Sequence, residues 1–338
     1  MLRALITGIN GQDGSYLAEI LLQKGYEVHG TVRRHSFSGP NIKKIEHIRS
    51  RISLHHLELT DHTNIHQLIA SLLPDEVYNM AAQTFVAASF EQPIYTTHVN
   101  ALAPVAILDA IRGIQDEKKK IIKFYQASTS EMFGKALSSP QNELTPFNPV
   151  SPYAIAKLFA HNSTVNYRES YGLFACSGIL FNHESERRGD DFVTQKIVKG
   201  IQNVLDGKID HIELGNLSSK RDWGLAKDYM MAAWLMMQQD KSDTFVISTG
   251  KQHSVRDFTE KVCAKHTLTI DWRGNHEAEV GYCNELGKAI ILVNPKYFRP
   301  VDVVDLVGDS TKATQILGWK PTENSLDCVI QNMVAPLR

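Results

Sequence analysis

Short apolar segments rich in β-branched and aromatic residues alternate with longer amphipathic segments through the first half of the chain. The apolar segments predict strands at RALIT, YEVHGTV, ISLHHLEL, EVYNMA, IIKFYQAS and FACSGILF. Between them, apolar residues spaced three and four apart predict helices at SYLAEILLQKG, HTNIHQLIASL and TTHVNALAPVAILDAI, with a kink at Pro104 in the last. This order indicates βαβ units, in which helices cover both faces of a parallel sheet.

The alternation weakens after Asn182, where loops become more frequent. A further helix and strand, AKDYMMAAWLMMQQ and TFVIST, are expected to return to the sheet. We therefore predict an α/β fold, a Rossmann-like doubly wound parallel sheet with a smaller α/β substrate-binding lobe. The predicted sheet domain comprises residues 1–182 plus 216–250, and the predicted lobe comprises residues 183–215 plus 251–338.

The composition is that of an ordinary globular protein, with 338 residues, of which 43% are hydrophobic and 22% are charged. A net charge of -1 argues against nucleic acid or an anionic membrane as the main partner, so any anion-binding site has to be local. Four scattered cysteines show neither metal-site nor disulfide spacing. No stretch approaches the roughly 20 apolar residues of a membrane span. We expect a cytoplasmic protein without a metal site.

Three glycines stand between the first predicted strand and the first predicted helix. Gly8, Gly11 and Gly14 have the spacing GxxGxxG. Without Cβ atoms the chain can turn tightly and approach a pyrophosphate, which binds at the positively polarised N-terminus of the helix. A plain turn would explain an isolated triplet, but the strand–loop–helix setting favours a dinucleotide-binding loop.

Two arginines follow the second strand, which is expected to end near Val32. An NAD-binding site usually places an acidic residue there to hold the ribose hydroxyls, whereas this chain has Arg33 and Arg34. A guanidinium can bind a 2′-phosphate through two parallel hydrogen bonds, so the pair favours NADP over NAD. The alternative is a pair of solvated surface arginines.

The segment SPYAIAKLFAHNSTVNYRESYG predicts a helix with Ser151 as its N-cap. Tyr153 and Lys157 are four residues apart and therefore project from one face of it. Because an ammonium stabilises a nearby phenolate, we expect Lys157 to lower the pKa of Tyr153 and to make it a base near neutral pH. Such pairs also occur on ordinary helices, but the phosphate loop upstream makes this one more specific.

Motifs spread along almost the whole chain carry a family resemblance. They include ALITGINGQDGSYLAE, KFYQASTSEMFGK, SPYAIAKL, GILFNHES, KRDWG and YFRP. Together they resemble the extended short-chain dehydrogenase/reductase family, and within it the dehydratases that act on GDP-mannose. The resemblance implies GDP-mannose as substrate, NADP as cofactor, a hydro-lyase reaction, and a homodimer or homotetramer.

The resemblance also implies the roles of individual residues. The implied catalytic set is Thr129, Glu131, Tyr153 and Lys157. The implied cofactor site consists of Gly8, Asn10, Gly11, Gln12, Asp13, Gly14, Arg33, Arg34, Ser36, Glu58, Leu59, Gln83, Thr84, Tyr95, Lys157, His183 and Arg188. The implied substrate site consists of Thr129, Ser130, Glu131, Tyr153, Asn182, Lys196, Arg221 and Arg299.

A few positions depart from the family pattern. Glu58 stands where aspartate is usual, and Val301 and Asp302 replace a threonine–glutamate pair, which puts an assumed ribose contact in doubt. Glu186 replaces a proline, and MFG replaces a leucine–tyrosine–glycine triplet. None of these changes touches the implied catalytic set.

Glu131 is the residue that a simple alcohol dehydrogenase would not need. We hypothesise that Tyr153 takes the proton of the sugar 4-hydroxyl while hydride leaves C4 for NADP. Glu131 then removes the C5 proton, which the new ketone has acidified, and assists departure of the 6-hydroxyl as water. Return of the hydride to C6 and of a proton to C5 completes the cycle. The alternative for Glu131 is a strand-end acid that is solvated or ion-paired.

Other functions remain open from the sequence. A GDP-sugar 4-reductase or 4-epimerase would use the same tyrosine and lysine without the acid, and a non-catalytic NADP sensor would commonly lack one of the pair. Ser130 replaces the aspartate that usually precedes this acid in dehydratases acting on dTDP-glucose. The residues do not decide whether the keto product is also reduced to GDP-rhamnose.

Overall fold

The structure is a computed structural model and describes residues 1–34, 39–298, 303 and 305–334. Its strands are β1 (Arg3–Thr7), β2 (Glu27–Val32), β3 (Ile52–His56), β4 (Glu76–Asn79), β5 (Lys123–Thr129), β6 (Ala175–Leu180), β7 (Asn182–Glu184), β8 (Ile212–Leu214), β9 (Lys220–Leu225), β10 (Thr244–Ile247), β11 (Gln252–Ser254), β12 (Ile270–Arg273), β13 (Val280–Cys283), β14 (Lys288–Val293) and β15 (Asp305–Leu306). Its helices are α1 (Gln12–Gln23), α2 (His62–Leu72), α3 (Val86–Glu91), α4 (Pro93–Thr97), α5 (Ala103–Lys118), α6 (Pro152–Tyr171), α7 (Val193–Leu205), α8 (Ala226–Met237), α9 (Val255–Lys265), α10 (Thr311–Leu317) and α11 (Leu326–Val334). All six strands predicted in the first half are present, and the strand predicted at TFVIST is β10.

Seven strands form one sheet in the order β10-β6-β5-β4-β1-β2-β3. Every neighbouring pair in this sheet is parallel. The strand order reverses between β1 and β4, so the connections that follow these two strands lead to opposite faces and leave a crevice at the carboxyl ends of the strands. The Rossmann-like doubly wound fold predicted from the sequence is confirmed.

Helices cover both faces of this sheet. On one face, α1 and α8 contribute Leu17 and Met230 to a core that is sealed from solvent. On the other face, α2 and α5 contribute Ile65 and Ile107 to a second core. Because both faces are covered, strands such as β4 and β6 are buried along their whole length.

A continuous helix runs from Pro93 to Lys118 through α4, a π-helical turn at His98–Leu102 and α5. Pro104 lies in the first turn of α5, directly after the π-helical turn. A proline lacks the N–H that an α-helix needs, and the π-helical turn is the local irregularity at the place where the sequence predicted a kink. By length and composition alone this helix could cross a membrane, but 56% of its apolar stretch is buried inside the fold, as in the core helix of a globular protein.

The remaining strands form two small sheets beyond β6. One contains β7, β9, β11 and β15, and the other has the order β12-β13-β14-β8. Helices α7, α9 and α11 share a core with them, built from side chains such as Ile197, Phe258 and Val329. The boundaries predicted for the two domains stay a prediction. Strand β9 pairs within a small sheet, while Trp319, from the last part of the chain, packs in the main core.

Candidate active site

The loop between β1 and α1 is tight at its glycines. Gly8 has a φ of +68°, and a Cβ on it would lie 3.0 Å from atoms of Ala81. A Cβ on Gly14 would lie 2.4 Å from the carbonyl oxygen of Gly8, so only glycine lets α1 begin this close to β1. Gly11 is the N-cap of α1, and no side chain caps the helix there. The first N–H groups of α1 therefore point into an uncapped space that suits an anion.

Asp13, in the first turn of α1, faces His183 of β7 at the edge of this loop. Its Oδ2 is 3.1 Å from Nε2 of His183, whose Nδ1 is 2.7 Å from the carbonyl oxygen of Phe181. Burial favours the neutral forms, but the attraction between opposite charges keeps the pKa of Asp13 well below its ordinary value and raises that of His183. Gln12 adds a third contact, because its Nε2 donates to the carbonyl oxygen of His183 at 3.1 Å. The first turn of α1 is thereby joined to β7.

The predicted adenosine end of the cofactor site follows β2 and β3. Arg33 and Arg34 are exposed directly after β2, as predicted for the end of that strand. Nη1 of Arg33 is 3.4 Å from the hydroxyl oxygen of Tyr95, although 62 positions separate the two residues. Glu58 is exposed and Leu59 is half-buried after β3. The structure thus brings these residues to one side of the crevice.

β5 ends in the hydroxyl-rich segment that contains Glu131. Oγ1 of Thr129 accepts a hydrogen bond of 3.2 Å from the N–H of Glu131, and Thr129 also hydrogen-bonds Tyr153. A 3-10 turn at Ser130–Met132 follows the strand immediately. Glu131 is only 9% exposed, so the alternative of a solvated strand-end acid is wrong. The acid lies instead beside Thr129 and the tyrosine of α6.

Helix α6 presents Tyr153 and Lys157 on the face that packs toward β5. The predicted N-cap is confirmed, because Oγ of Ser151 accepts a hydrogen bond of 3.1 Å from the N–H of Ala154. Both Tyr153 and Lys157 are buried. Nζ of Lys157 donates to the carbonyl oxygen of Ala127 at 3.0 Å and lies 6.0 Å from the ring centre of Tyr153.

Burial has the largest effect on the pKa of Tyr153, and it raises that pKa. Loss of solvent raises the pKa of this phenol, the hydrogen bond with Thr129 opposes the rise, and the charge of Glu131 adds to it. Burial also lowers the pKa of Lys157 to about 8. The expectation that Lys157 lowers the pKa of Tyr153 is wrong for the protein alone, because burial of the phenol raises this pKa. The ammonium of Lys157 is directed at the carbonyl of Ala127.

A cavity of about 870 Å³ lies where these elements meet, a size typical of small-molecule sites. The predicted site residues that line it are Asp13, Thr84, Thr129, Ser130, Glu131, Tyr153, Lys157, Asn182, His183, Arg188, Lys196 and Arg221. The predicted cofactor residues that lie outside its wall are Gly8, Asn10, Gly11, Gln12, Gly14, Arg33, Arg34, Glu58, Leu59, Gln83 and Tyr95. Most of this second group follows β1, β2, β3 or β4, beside the cavity.

Arg188 is held at the cavity wall by a buried acid. Its Nε is 3.1 Å from Oε2 of Glu184, and Oγ1 of Thr194 donates to the same oxygen at 2.7 Å. The guanidinium carbon lies 3.8 Å from the ring centre of Phe192. Burial raises the pKa of Glu184, and the positive charge of Arg188 opposes that rise. Sequence reasoning assigned no role to Glu184, although it stands in the motif FNHES.

Two further basic side chains reach the cavity from the elements beyond β6. Arg221 of β9 is buried, and its Nη1 donates to the carbonyl oxygen of Val303 at 2.7 Å. Nζ of Lys196, on α7, lies 3.5 Å from the ring centre of Tyr297. Sequence reasoning missed Tyr297, although it begins the motif YFRP. The two other predicted site residues, Ser36 and Arg299, lie outside the described residues.

The crevice fits a dinucleotide. Its glycines form a cradle that a Cβ would fill, and the N-terminus of α1 carries no side-chain cap. Nδ2 of Asn10 is buried, and among the described residues it has no hydrogen-bond partner. A pyrophosphate in this cradle would meet the N–H groups of α1.

The described parts of the chain contain no group of three or more His, Cys, Asp or Glu residues that could hold a metal ion.

A doubly wound parallel sheet, a glycine loop after its first strand and a tyrosine–lysine pair one helical turn apart define an extended short-chain dehydrogenase/reductase. A family model described as GDP-mannose 4,6 dehydratase matches residues 5–333. The chain is 50% identical over 339 residues to the GDP-mannose 4,6 dehydratase of Homo sapiens, covering 98% of this chain and 90% of the relative. It is 47% identical to that of Dictyostelium discoideum, covering 98% and 94% of the two chains. The chain belongs to the GDP-mannose 4,6 dehydratase family.

Solved structures show the same fold at low sequence identity. The UDP-glucose 4-epimerase of Thermotoga maritima, determined with UDP-glucose, superposes with a TM-score of 0.80 at 21% identity and covers 98% of each chain. The dTDP-glucose 4,6-dehydratase of Bacillus anthracis, determined with NAD, superposes with a TM-score of 0.77 at 18% identity, covering 98% of this chain and 96% of the other. Both likenesses concern the fold alone.

Proposed function

We propose that this protein converts GDP-D-mannose into GDP-4-keto-6-deoxy-D-mannose and water, as a hydro-lyase that uses NADP without net oxidation or reduction. Membership of the family supports the substrate. The observation that carries the reaction is Glu131, a buried acid that lines the same cavity as Tyr153 and adjoins Thr129. A 4-reductase or 4-epimerase of GDP-sugars would use Tyr153 and Lys157 but would not need a second acid–base group at the position of Glu131.

The bound nicotinamide dinucleotide would supply the hydride acceptor and, later in the cycle, the hydride donor. Tyr153 accepts the proton of the 4-hydroxyl, and its hydrogen bond with Thr129 stabilises the phenolate. Lys157 contributes positive charge on the same helical face. Glu131 takes the C5 proton, which the neighbouring ketone has acidified, and delivers it to the departing 6-hydroxyl, so that water leaves. The returned hydride forms the new C–H bond at C6, and a proton added at C5 balances the one that Tyr153 took from the 4-hydroxyl, so the net change is the loss of one water.

The substrate diphosphate carries about two negative charges, which a chain of net charge -1 has to meet locally. Lys196 and Arg221 line the cavity and supply positive charge at its wall. Asn182, at the start of β7, and Ser130, beside Glu131, line it as well and offer polar groups for the sugar. We assign these four side chains to the sugar nucleotide.

Incubation of the protein with GDP-mannose and no added reductant tests the proposed function. The expected product is a GDP-sugar that has lost one water and carries a ketone, detected by mass spectrometry and NMR. Turnover only with added NADPH would instead indicate a 4-reductase, and a product of unchanged mass would indicate a 4-epimerase.

The preference for NADP is assigned to the arginines after β2. Replacing Arg33 and Arg34 together by glutamine should weaken NADP binding by about tenfold to a hundredfold and leave NAD binding within a few-fold, because only NADP carries the 2′-phosphate. Binding is measured by calorimetry with each dinucleotide. Arg273→Gln, on β12 and half-exposed, is the control for loss of a surface charge. Equal weakening of both dinucleotides would contradict the assignment.

An apolar surface on α4 and α6 supports a homodimer, the smaller of the two predicted assemblies. Ile94 is 71%, Ile155 57% and Phe159 50% exposed, and α4 packs against α6. Exposed apolar side chains that lie together often mark an interface, so we expect a second copy of the chain to bind this surface. Phe159→Glu should convert the oligomer to a monomer in analytical ultracentrifugation. A Phe159→Glu oligomer of unchanged mass would contradict this interface.

We also assign the protein to the cytoplasm. All four cysteines are free thiols, and three of them are buried. This state matches a reducing compartment.

A further inference from the structure

A short 3-10 turn, Pro295–Tyr297, forms part of the cavity wall beside the end of β8. The N–H of Asn294, just before the turn, donates to the carbonyl oxygen of Leu214 at 2.8 Å. A Cβ on Gly215 would lie 2.8 Å from the carbonyl oxygen of Tyr297, so the turn packs directly on the backbone after β8. The backbone of the turn is therefore fixed to the strand.

The side chains of the turn converge on one carboxylate of β8. Oε1 of Glu213 accepts a hydrogen bond of 2.9 Å from Nδ2 of Asn294, and Oε2 pairs with Nζ of Lys296 at 2.6 Å. These contacts hold the pKa of Glu213 at about 2, so the carboxylate stays charged at physiological pH. The hydroxyl of Tyr297 lies farther from Glu213, at 3.4 Å. That hydroxyl donates only a long hydrogen bond to Oε2, so the side chains of Asn294 and Lys296 make the shorter links from the turn to β8.

Lys196 of α7 places its ammonium on the ring of Tyr297. The distance from Nζ to the ring centre is 3.5 Å, compared with 4.8 Å for Nζ of Lys296. Glu213 forms an ion pair with Lys296. In the part of the chain that the structure describes, Nζ of Lys196 forms no ion pair and contacts the ring of Tyr297 instead. An aromatic face orients a cation without cancelling its charge, because the ring offers a quadrupole and no net charge. Lys196 thus keeps its positive charge at a fixed place on the cavity wall.

We propose that Tyr297 is a positioning residue whose ring holds the ammonium of Lys196 at the place where the diphosphate of the sugar nucleotide binds. This inference rests on the proposed function, in which Lys196 contacts that diphosphate. A carboxylate partner would hold the ammonium equally well, but it would compete with the diphosphate for the same charge. The ring avoids this competition. It also spares the substrate the cost of ordering a flexible lysine.

Three single variants and GDP, which carries the diphosphate but not the sugar, test the role of the ring. Tyr297→Leu removes the aromatic face and should weaken GDP binding by about twofold to tenfold in calorimetry. Tyr297→Phe keeps the face and loses the hydroxyl, so it should bind GDP like the wild type. Tyr171→Leu removes another ring that lies under a cation, Arg112 at 4.7 Å, on the surface formed by α5 and α6. That control should leave GDP binding unchanged.

A double-mutant cycle separates positioning from general support of the turn. If Tyr297 acts through Lys196, then Tyr297→Leu should cause no further loss of GDP affinity once Lys196→Ala is present. In steady state, Tyr297→Leu should raise KM for GDP-mannose and leave kcat nearly constant, because the contact lies at the diphosphate and not at the reacting carbons.

Four results would overturn the inference. They are wild-type GDP affinity in Tyr297→Leu, equal losses in Tyr297→Phe and Tyr297→Leu, additive losses in the cycle, and absence of GDP binding by the wild-type protein. Failure of the proposed function is a different result, in which GDP-mannose yields no dehydrated product. GDP binding that depends on the ring would then still support the role of Tyr297.

Discussion

Replacement of Glu131 by glutamine should abolish dehydration and leave the first hydride transfer in place. The amide keeps the size of the side chain and its place after Thr129, but it cannot accept the C5 proton or protonate the departing hydroxyl. We expect the rate of product formation to fall by about 10²–10⁴-fold, the usual contribution of a positioned acid–base group. A single turnover with GDP-mannose should still show the near-ultraviolet absorbance of reduced nicotinamide.

The control for this variant is Glu91→Gln. Glu91 ends α3 and also lines the cavity, but it is exposed and has no assigned role. Its replacement should leave product formation within about twofold of the wild type. Dehydration by Glu131→Gln at a rate close to that of the wild type would contradict the role of Glu131.

Tyr153→Phe should instead abolish both half-reactions. Without the phenolic oxygen, no group at this position accepts the proton of the 4-hydroxyl, so C4 is not oxidised and no ketone forms to acidify C5. The expected loss in kcat is again about 10²–10⁴-fold. In this variant a single turnover should produce no absorbance of reduced nicotinamide. The two variants are therefore distinguished by the first half-reaction, which Glu131→Gln retains and Tyr153→Phe lacks.

Tyr167→Phe is the matched control, because Tyr167 lies on the same helix and its ring packs at a tilt against Tyr171, outside the cavity wall. It should keep wild-type turnover. Retention of more than about a third of kcat by Tyr153→Phe would show that another group takes the hydroxyl proton, since a factor of three is far below a general-base contribution.

Local features of the site could be predicted from the sequence. The glycine spacing, the end of β2 and the N-cap at Ser151 follow from short-range rules of turns, strands and helix ends. The parallel sheet follows from the alternation of apolar and amphipathic segments, because each βαβ unit returns the chain to the same edge. The same alternation of segments predicts that Glu131 follows a strand of the parallel sheet and therefore lies at the carboxyl ends of the strands, where the crevice is.

Contacts between distant parts of the chain could not be predicted in this way. Asp13 and His183 are 170 positions apart, and the ring of Tyr297 reaches Lys196 from a turn about a hundred residues later. No periodicity encodes such pairs, which depend on how the lobe lies on the sheet. The pKa of Tyr153 was also predicted in the wrong direction for the protein alone, because burial of the phenol raises it and burial depends on tertiary packing. The spacing of the helix places Lys157 near the phenol, but the carbonyl that binds its ammonium belongs to β5.

In the proposed cycle, hydrogen removed from C4 of the hexose is returned to C6 of the same molecule while Glu131 moves the proton at C5. The most direct measurement uses GDP-mannose labelled with deuterium at C4, with no reductant added and the product analysed by NMR. We expect one deuterium at C6 in each product molecule. A dehydrated product without deuterium at C6 would contradict it.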